Sequence, residues 1–183
     1  MGLSEVSSSE YWIIGYGNVQ RRDDGIGPYI VGRLRPIFAN RRDVHLRVSH
    51  QLEPDLIEPL KHADIVLFVD AAIHRGVAGR RWMVIQPELK TMPCLGHQVS
   101  PAFILGWLQC LYRRCPTAWL VTVEGNDFSF GSGLSSGARK KAEQVIGEIT
   151  ALVLRQAGGT RPELPDKPGK ALSDGSTPNR RPI

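Results

Sequence analysis

The sequence predicts an α/β fold whose largely parallel sheet is covered on both faces. Three observations carry this. Apolar runs of strand length alternate with segments of helical period, the pattern of βαβ units. The run Ile65-Val66-Leu67-Phe68-Val69 is apolar without alternation, as suits a strand buried on both faces. The runs at 11–16 and 65–69 each lead into a Gly- or Asp-bearing segment, as at the carboxyl edge of an open sheet.

The elements follow in order. Residues 11–16 form a short apolar run that ends in a glycine loop, a first strand. Pro28 stands where proline is tolerated at a helix start, and Ile30, Val31 and Leu34 recur at helical spacing, so a helix is expected over 28–40. Val44, Leu46 and Val48 alternate, giving a strand over 43–49. Residues 53–61 read as a helix with Leu56, Ile57 and Leu60 on one face and Pro54 in its first turn. A buried strand over 65–69 ends at Asp70, and another strand covers 81–85. After a Pro/Gly/Cys loop come an apolar helix over 100–112 and a strand over 119–123. A long amphipathic helix over 134–154 turns Ala142, Val145, Ile146, Ile149 and Val153 inward. The sheet thus has about five strands, with right-handed crossovers.

A chain of 183 residues, 42% hydrophobic, has room for one real core, and a single domain over 11–157 is expected. Residues 1–10 are Ser/Glu-rich and read as a flexible N-terminus. Residues 158–183 scatter Pro162, Pro165, Pro168, Pro178 and Pro182 among small and polar residues; such a tail buries too little to offset its ordering entropy and is expected to be disordered. The net charge of +5 permits an acidic partner without demanding one. No basic run is interleaved with aromatics and no zinc-finger spacing occurs, so nucleic-acid binding is not expected. Three cysteines, Cys94, Cys110 and Cys115, make no disulfide framework. No signal peptide or membrane span is read, and Val6 stands where a myristoylation motif needs Ser or Thr. A cytoplasmic protein with no membrane partner is the expectation.

The loop Gly15-Tyr16-Gly17-Asn18-Val19-Gln20-Arg21-Arg22-Asp23-Asp24-Gly25-Ile26-Gly27-Pro28 joins the first strand to its helix. A dinucleotide fingerprint would need a third glycine where Gln20 stands, and two acids at a helix N-terminus would repel a pyrophosphate. One acid is expected to cap the helix and the other to point elsewhere. Asp70 closes the central strand, on the same sheet rim. In "PCLGHQVSPAFILGWLQCL", His97 stands in a glycine-containing loop at a helix entry. Asp/Asp/His is an O/O/N set that suits a divalent transition metal such as nickel or zinc, and three ligands leave the coordination sphere open. Cys94 could add a fourth ligand, or be a small buried hydrophobe. His50, His62 and His74 are reserves.

These residues together resemble the endopeptidases that mature the large subunit of [NiFe] hydrogenases. Four stretches between about residues 13 and 149 carry the resemblance: "GYGNVQRRDDGIG", "ADIVLFVDA", "GHQVSPAFILGWL" and "VEGNDFSFGSGLSSGARKKAEQVI". "HQLEPDLIEPL" is similar to a Q-L-x-P-E-L stretch of the bidirectional-hydrogenase branch, with Asp55 in place of Glu. The resemblance implies a three-layer α/β/α sandwich. It implies removal of a C-terminal extension from the large-subunit precursor once nickel has been inserted. By position it assigns recognition of that nickel, carried by the precursor, to Asp24, Asp70 and His97. Asp23 falls on a position without a metal role and takes the capping role. Gln20-Arg21-Arg22 is charged where relatives are more apolar, on a stretch expected to be exposed.

No G-x-S-x-G elbow directly follows a predicted strand, since Gly133-Leu134-Ser135-Ser136-Gly137 begins ten residues after the strand over 119–123, and no H-E-x-x-H helix is present. The reading is therefore an open metal-recognition site that orients the scissile peptide, with Glu124 either a general base or a turn-stabilising residue. The rival readings are a nucleotide-binding oxidoreductase using Gly15 and Gly17, a nickel-checking chaperone that binds the large subunit without cutting, and a metal hydrolase with a small substrate.

Overall fold

The computed structural model describes residues 9–73, 79–88 and 99–156. Five strands, β1 (Tyr11–Tyr16), β2 (Val44–Ser49), β3 (Ile65–Ala72), β4 (Arg80–Val84) and β5 (Thr117–Glu124), form one sheet in the order β2-β1-β3-β5-β4. All neighbours run parallel except β4, which is antiparallel to β5. The helices are α1 (Ile26–Ile37), α2 (Pro101–Tyr112) and α3 (Ser136–Gln156). The expected three-layer α/β/α sandwich with a mostly parallel sheet is therefore the observed architecture. The N-terminal and tail expectations for 1–10 and 158–183 fall almost wholly outside the described residues.

The layers follow from strand alternation. Ile13, Leu67, Val69 and Val121 point to one face and pack on Ile26, Ile30 and Leu34 of α1 and Ala142, Val145 and Ile149 of α3. Ile14, Val66 and Phe68 point to the other and pack on Ile104, Leu105 and Leu108 of α2. The strand predicted to end at residue 69 continues to Ala72, because β5 offers ladder partners as far as Glu124. The helix expected over 53–61 is instead two 3-10 turns, Pro54–Leu56 and Pro59–His62. Pro59 has no N–H to give an α-helix, so the segment restarts there. Leu56, Ile57 and Leu60 nonetheless reach the α2-side core, as their spacing suggested.

At the amino end of the sheet the Tyr11 N–H donates to the Asp43 carbonyl at 2.8 Å. The Asp43 carboxylate accepts from Arg41 Nε at 2.7 Å, and this guanidinium bond holds its pKa below the ordinary value. A lowered folded pKa gives stabilisation that is complete above about pH 4 and is lost as pH falls through the folded value. Asp43→Asn is therefore expected to cost about 1 kcal/mol near neutral pH. The difference from wild type should shrink below about pH 3, as read from urea midpoints at both pH values.

Candidate functional site

The first loop is shaped by close backbone approaches. A Cβ on Gly15 would fall 2.2 Å from the Gly27 carbonyl oxygen, and one on Gly27 would fall 2.5 Å from that of Val69. The first turn of α1 thus lies directly on the backbones of β1 and β3, at the residue before Asp70. Gly17 has φ 139° and a Cβ there would stand 2.0 Å from the Asp24 carbonyl oxygen. The second glycine of the loop therefore packs on the acid turn rather than opening a space for phosphate.

Asp24 lies in a 3-10 turn, Arg22–Gly25, that precedes α1 and packs on β3. It is buried, 2% exposed, and its Oδ2 accepts the Asn18 N–H at 3.0 Å. Asp70 is half-buried, and its Oδ1 accepts the Ala71 N–H at 2.8 Å. The β1–β3 ladder stops at Gly15 and Val69, so Asp70 stands just past the paired end of β1. By alternation it shares the face of Val66 and Phe68, the α2 side. The structure thus brings Asp24 and Asp70 to one rim, the carboxyl edge of β1 and β3. His97, Cys94 and His74 lie outside the described residues. The chain returns from that segment into α2, where Ser100 caps the helix by accepting the Phe103 N–H at 3.1 Å. His50 and His62 are exposed. Among the described residues no three His, Cys, Asp or Glu side chains form a metal-holding group.

Asp23 corrects the capping assignment. Neither the 3-10 turn nor α1 receives a side-chain cap. Fully buried, Asp23 instead grips the connection between β5 and α3. Its Oδ2 accepts the N–H of Asn126 (2.9 Å) and Asp127 (3.0 Å) and the Ser135 hydroxyl (2.8 Å), while Oδ1 accepts the Ser135 N–H at 2.7 Å. Burial pushes its pKa up, but the backbone and hydroxyl bonds outweigh burial and hold it below the ordinary carboxylate value. Ser135 also caps α3 by accepting from the Ala138 N–H. Ser135 stood inside the helix predicted over 134–154, one residue ahead of the observed start at Ser136, which hid the cap; its second partner, 112 residues away, left no signal.

Gln20 and Arg22 are exposed, as expected of the charged stretch, and Arg21 is half-buried. Arg21 donates to the Phe128 carbonyl at 3.2 Å, and Arg22 pairs with Asp127 at 3.4 Å. Glu124, at the end of β5, is bound by Lys141 of α3 at 2.6 Å. That ion pair ties the strand end to the helix.

A mostly parallel five-stranded sheet between two helical layers, with its first loop folded onto its own acid turn, has the fold of the [NiFe] hydrogenase maturation proteases. The chain superposes on the [NiFe] hydrogenase maturation protease HycI from Thermococcus kodakarensis KOD1 with a TM-score of 0.63 at 20% identity, over 82% of this chain and 95% of that one. For the hydrogenase maturating endopeptidase HybD from E. coli the values are 0.60, 18%, 82% and 94%. The hydrogenase 2 maturation peptidase of a Thaumarchaeota archaeon gives 0.57, 17%, 82% and 99%. No family model and no curated protein sequence matches the chain.

Proposed function

We propose that this protein is an endopeptidase that removes the C-terminal extension of a [NiFe]-hydrogenase large-subunit precursor. The observation that supports the reading most is that the Asp24 turn and Asp70 both lie at the carboxyl edge of the sheet, on a fold shared with hydrogenase maturation proteases. The four sequence blocks that resemble the family add to it. The described residues contain no helix long and apolar enough to cross a membrane.

The donor chemistry fits a transition ion. Two carboxylate oxygens from rigid positions, with the imidazole of His97 as third donor, form an O/O/N set with room for ligands from the substrate. Nickel belongs to the substrate here, and it polarises or orients groups bound to it. The protein's part is positional. Asn18 holds the Asp24 carboxylate, and the Ala71 N–H fixes one oxygen of Asp70. Of the two, Asp70 is the more accessible. Fixing a peptide against a reactive centre supplies several kcal/mol of barrier lowering. The loop places an acid pair at the start of α1, where a dinucleotide site would need N–H groups free for phosphate.

The assay is cleavage of nickel-loaded precursor, read as a fall in mass. Asp70→Asn and His97→Ala should each lower the rate by at least about 100-fold while leaving the thermal midpoint close to wild type. Full activity of either variant removes that residue from the site. Stable binding of precursor by wild type without any change in its mass would assign the protein to the non-cleaving nickel-checking class instead.

A further inference from the structure

The strand β2 is a sheet edge, paired with β1 and with no other strand among the described residues. Its hydrogen-bond parity is fixed at both ends. The Tyr11 N–H donates to the Asp43 carbonyl at 2.8 Å and the Gly17 N–H to the Ser49 carbonyl at 3.2 Å. In a parallel ladder each residue turns its N–H and C=O the same way, and successive residues alternate. His45, Arg47 and Ser49 therefore bond β1, and the N–H and C=O groups of Val44, Leu46 and Val48 point out of the open edge. No described residue meets those groups with a hydrogen bond.

Proteins commonly blunt such edges with proline, a bulge or outward charge. β2 has neither proline nor bulge, since its register with β1 is unbroken from Tyr11↔Val44 to Tyr16↔Ser49. Its two basic side chains are turned to acids of the same fold, His45 to Glu10 at 2.7 Å and Arg47 to Asp55. Val48 stands 40% exposed near the end of the strand. That end is continuous with the candidate site: Ser49 bonds Gly17, and Gly17 rests on the Asp24 carbonyl. The other edge, β4, is separated from β3 by β5 and runs the opposite way.

We propose that β2 is the docking strand for the substrate, an inference that rests on the endopeptidase reading. The polypeptide flanking the scissile bond adds to the sheet as a sixth strand. It exchanges main-chain hydrogen bonds with Val44, Leu46 and Val48 and leaves the edge at the rim beside Asp24. Alternate side chains of the added strand lie next to Leu46 and Val48, so apolar, β-branched residues are favoured there.

Hydrogen exchange on the wild-type protein, free and mixed with a synthetic peptide spanning the precursor's cleavage site, tests this. The amides of Val44, Leu46 and Val48 should slow by at least about tenfold on binding, while those of His45, Arg47 and Ser49, already bonded to β1, stay unchanged. Val48→Pro removes one outward N–H at an edge position that accepts proline. It should raise KM for precursor about tenfold with kcat and thermal midpoint kept. Val84→Pro, at an outward position of the β4 edge, should alter neither constant. Cleavage with the three amides unprotected, or Val48→Pro with wild-type KM, overturns the docking strand and leaves the peptidase reading intact. Protection by the peptide, with nickel-loaded precursor left uncut by the same protein, overturns the peptidase reading and leaves the docking strand. Protection already present in the free protein and lost on dilution assigns the edge to a second copy and overturns the proposal. Failure of the wild-type protein to bind or cut either peptide or precursor overturns both.

Discussion

Gly27→Ala should destabilise the protein by about 3–5 kcal/mol, enough to leave much of it unfolded at 37 °C. The added methyl would stand 2.5 Å from the Val69 carbonyl oxygen and 2.7 Å from both the nitrogen and the oxygen of Tyr16. All three are backbone atoms of central strands and cannot rotate away. Helix propensity favours alanine over glycine by about 1 kcal/mol, in the opposite direction, so the measurement separates the two effects. Relief of the clash requires α1 to lift from the sheet, exposing Ile26, Ile30 and Leu34, which are fully buried. Chemical denaturation of the purified variant reads the loss. A Gly27→Ala protein as stable as wild type would mean that α1 does not rest on β1 and β3 at this point.

Asp23→Ala is the second large effect, at about 3–5 kcal/mol. The substitution removes four hydrogen bonds to a fully buried carboxylate. It also leaves the N–H groups of Asn126, Asp127 and Ser135 short of an acceptor, and each such group costs roughly 1–3 kcal/mol when buried. Asp23→Asn should recover only part of this, because its amide nitrogen brings hydrogens where donors already converge. In wild type the contribution is complete above the ordinary aspartate pKa and is lost as pH falls through the lowered folded value. The Asp23→Ala penalty should therefore be largest near neutral pH and shrink in acid. Urea midpoints across pH 2–7 give both the size and the sign.

The frame of the fold was legible because its signals are local. Residues 11–16 and the run after Asp64 are apolar over strand length, and the strands appear where they were read. The Asp24/Asp70 rim was legible for the same reason, since strand ends in a parallel sheet share one edge. Residues 53–61 misled because Leu56, Ile57 and Leu60 need only face one core, a demand that two short turns meet as well as a helix. The antiparallel sense of β4 had no local marker. Asp23 was the plainest miss: two adjacent aspartates look alike in sequence, and their division of labour is set by the connection of residues 126–135, more than a hundred residues on.

That separation has a consequence for the life of the chain on the ribosome. The loop holding Asp24 is fastened through Asp23 to backbone made 103 to 112 residues later. Contacts so distant along the chain form late, because a large loop must close before they are rewarded. A nascent protein with only β1 to α2 emerged has its acids but not the clasp that sets them. On the endopeptidase reading, a product of synthesis interrupted before the last helix should therefore fail to cleave precursor.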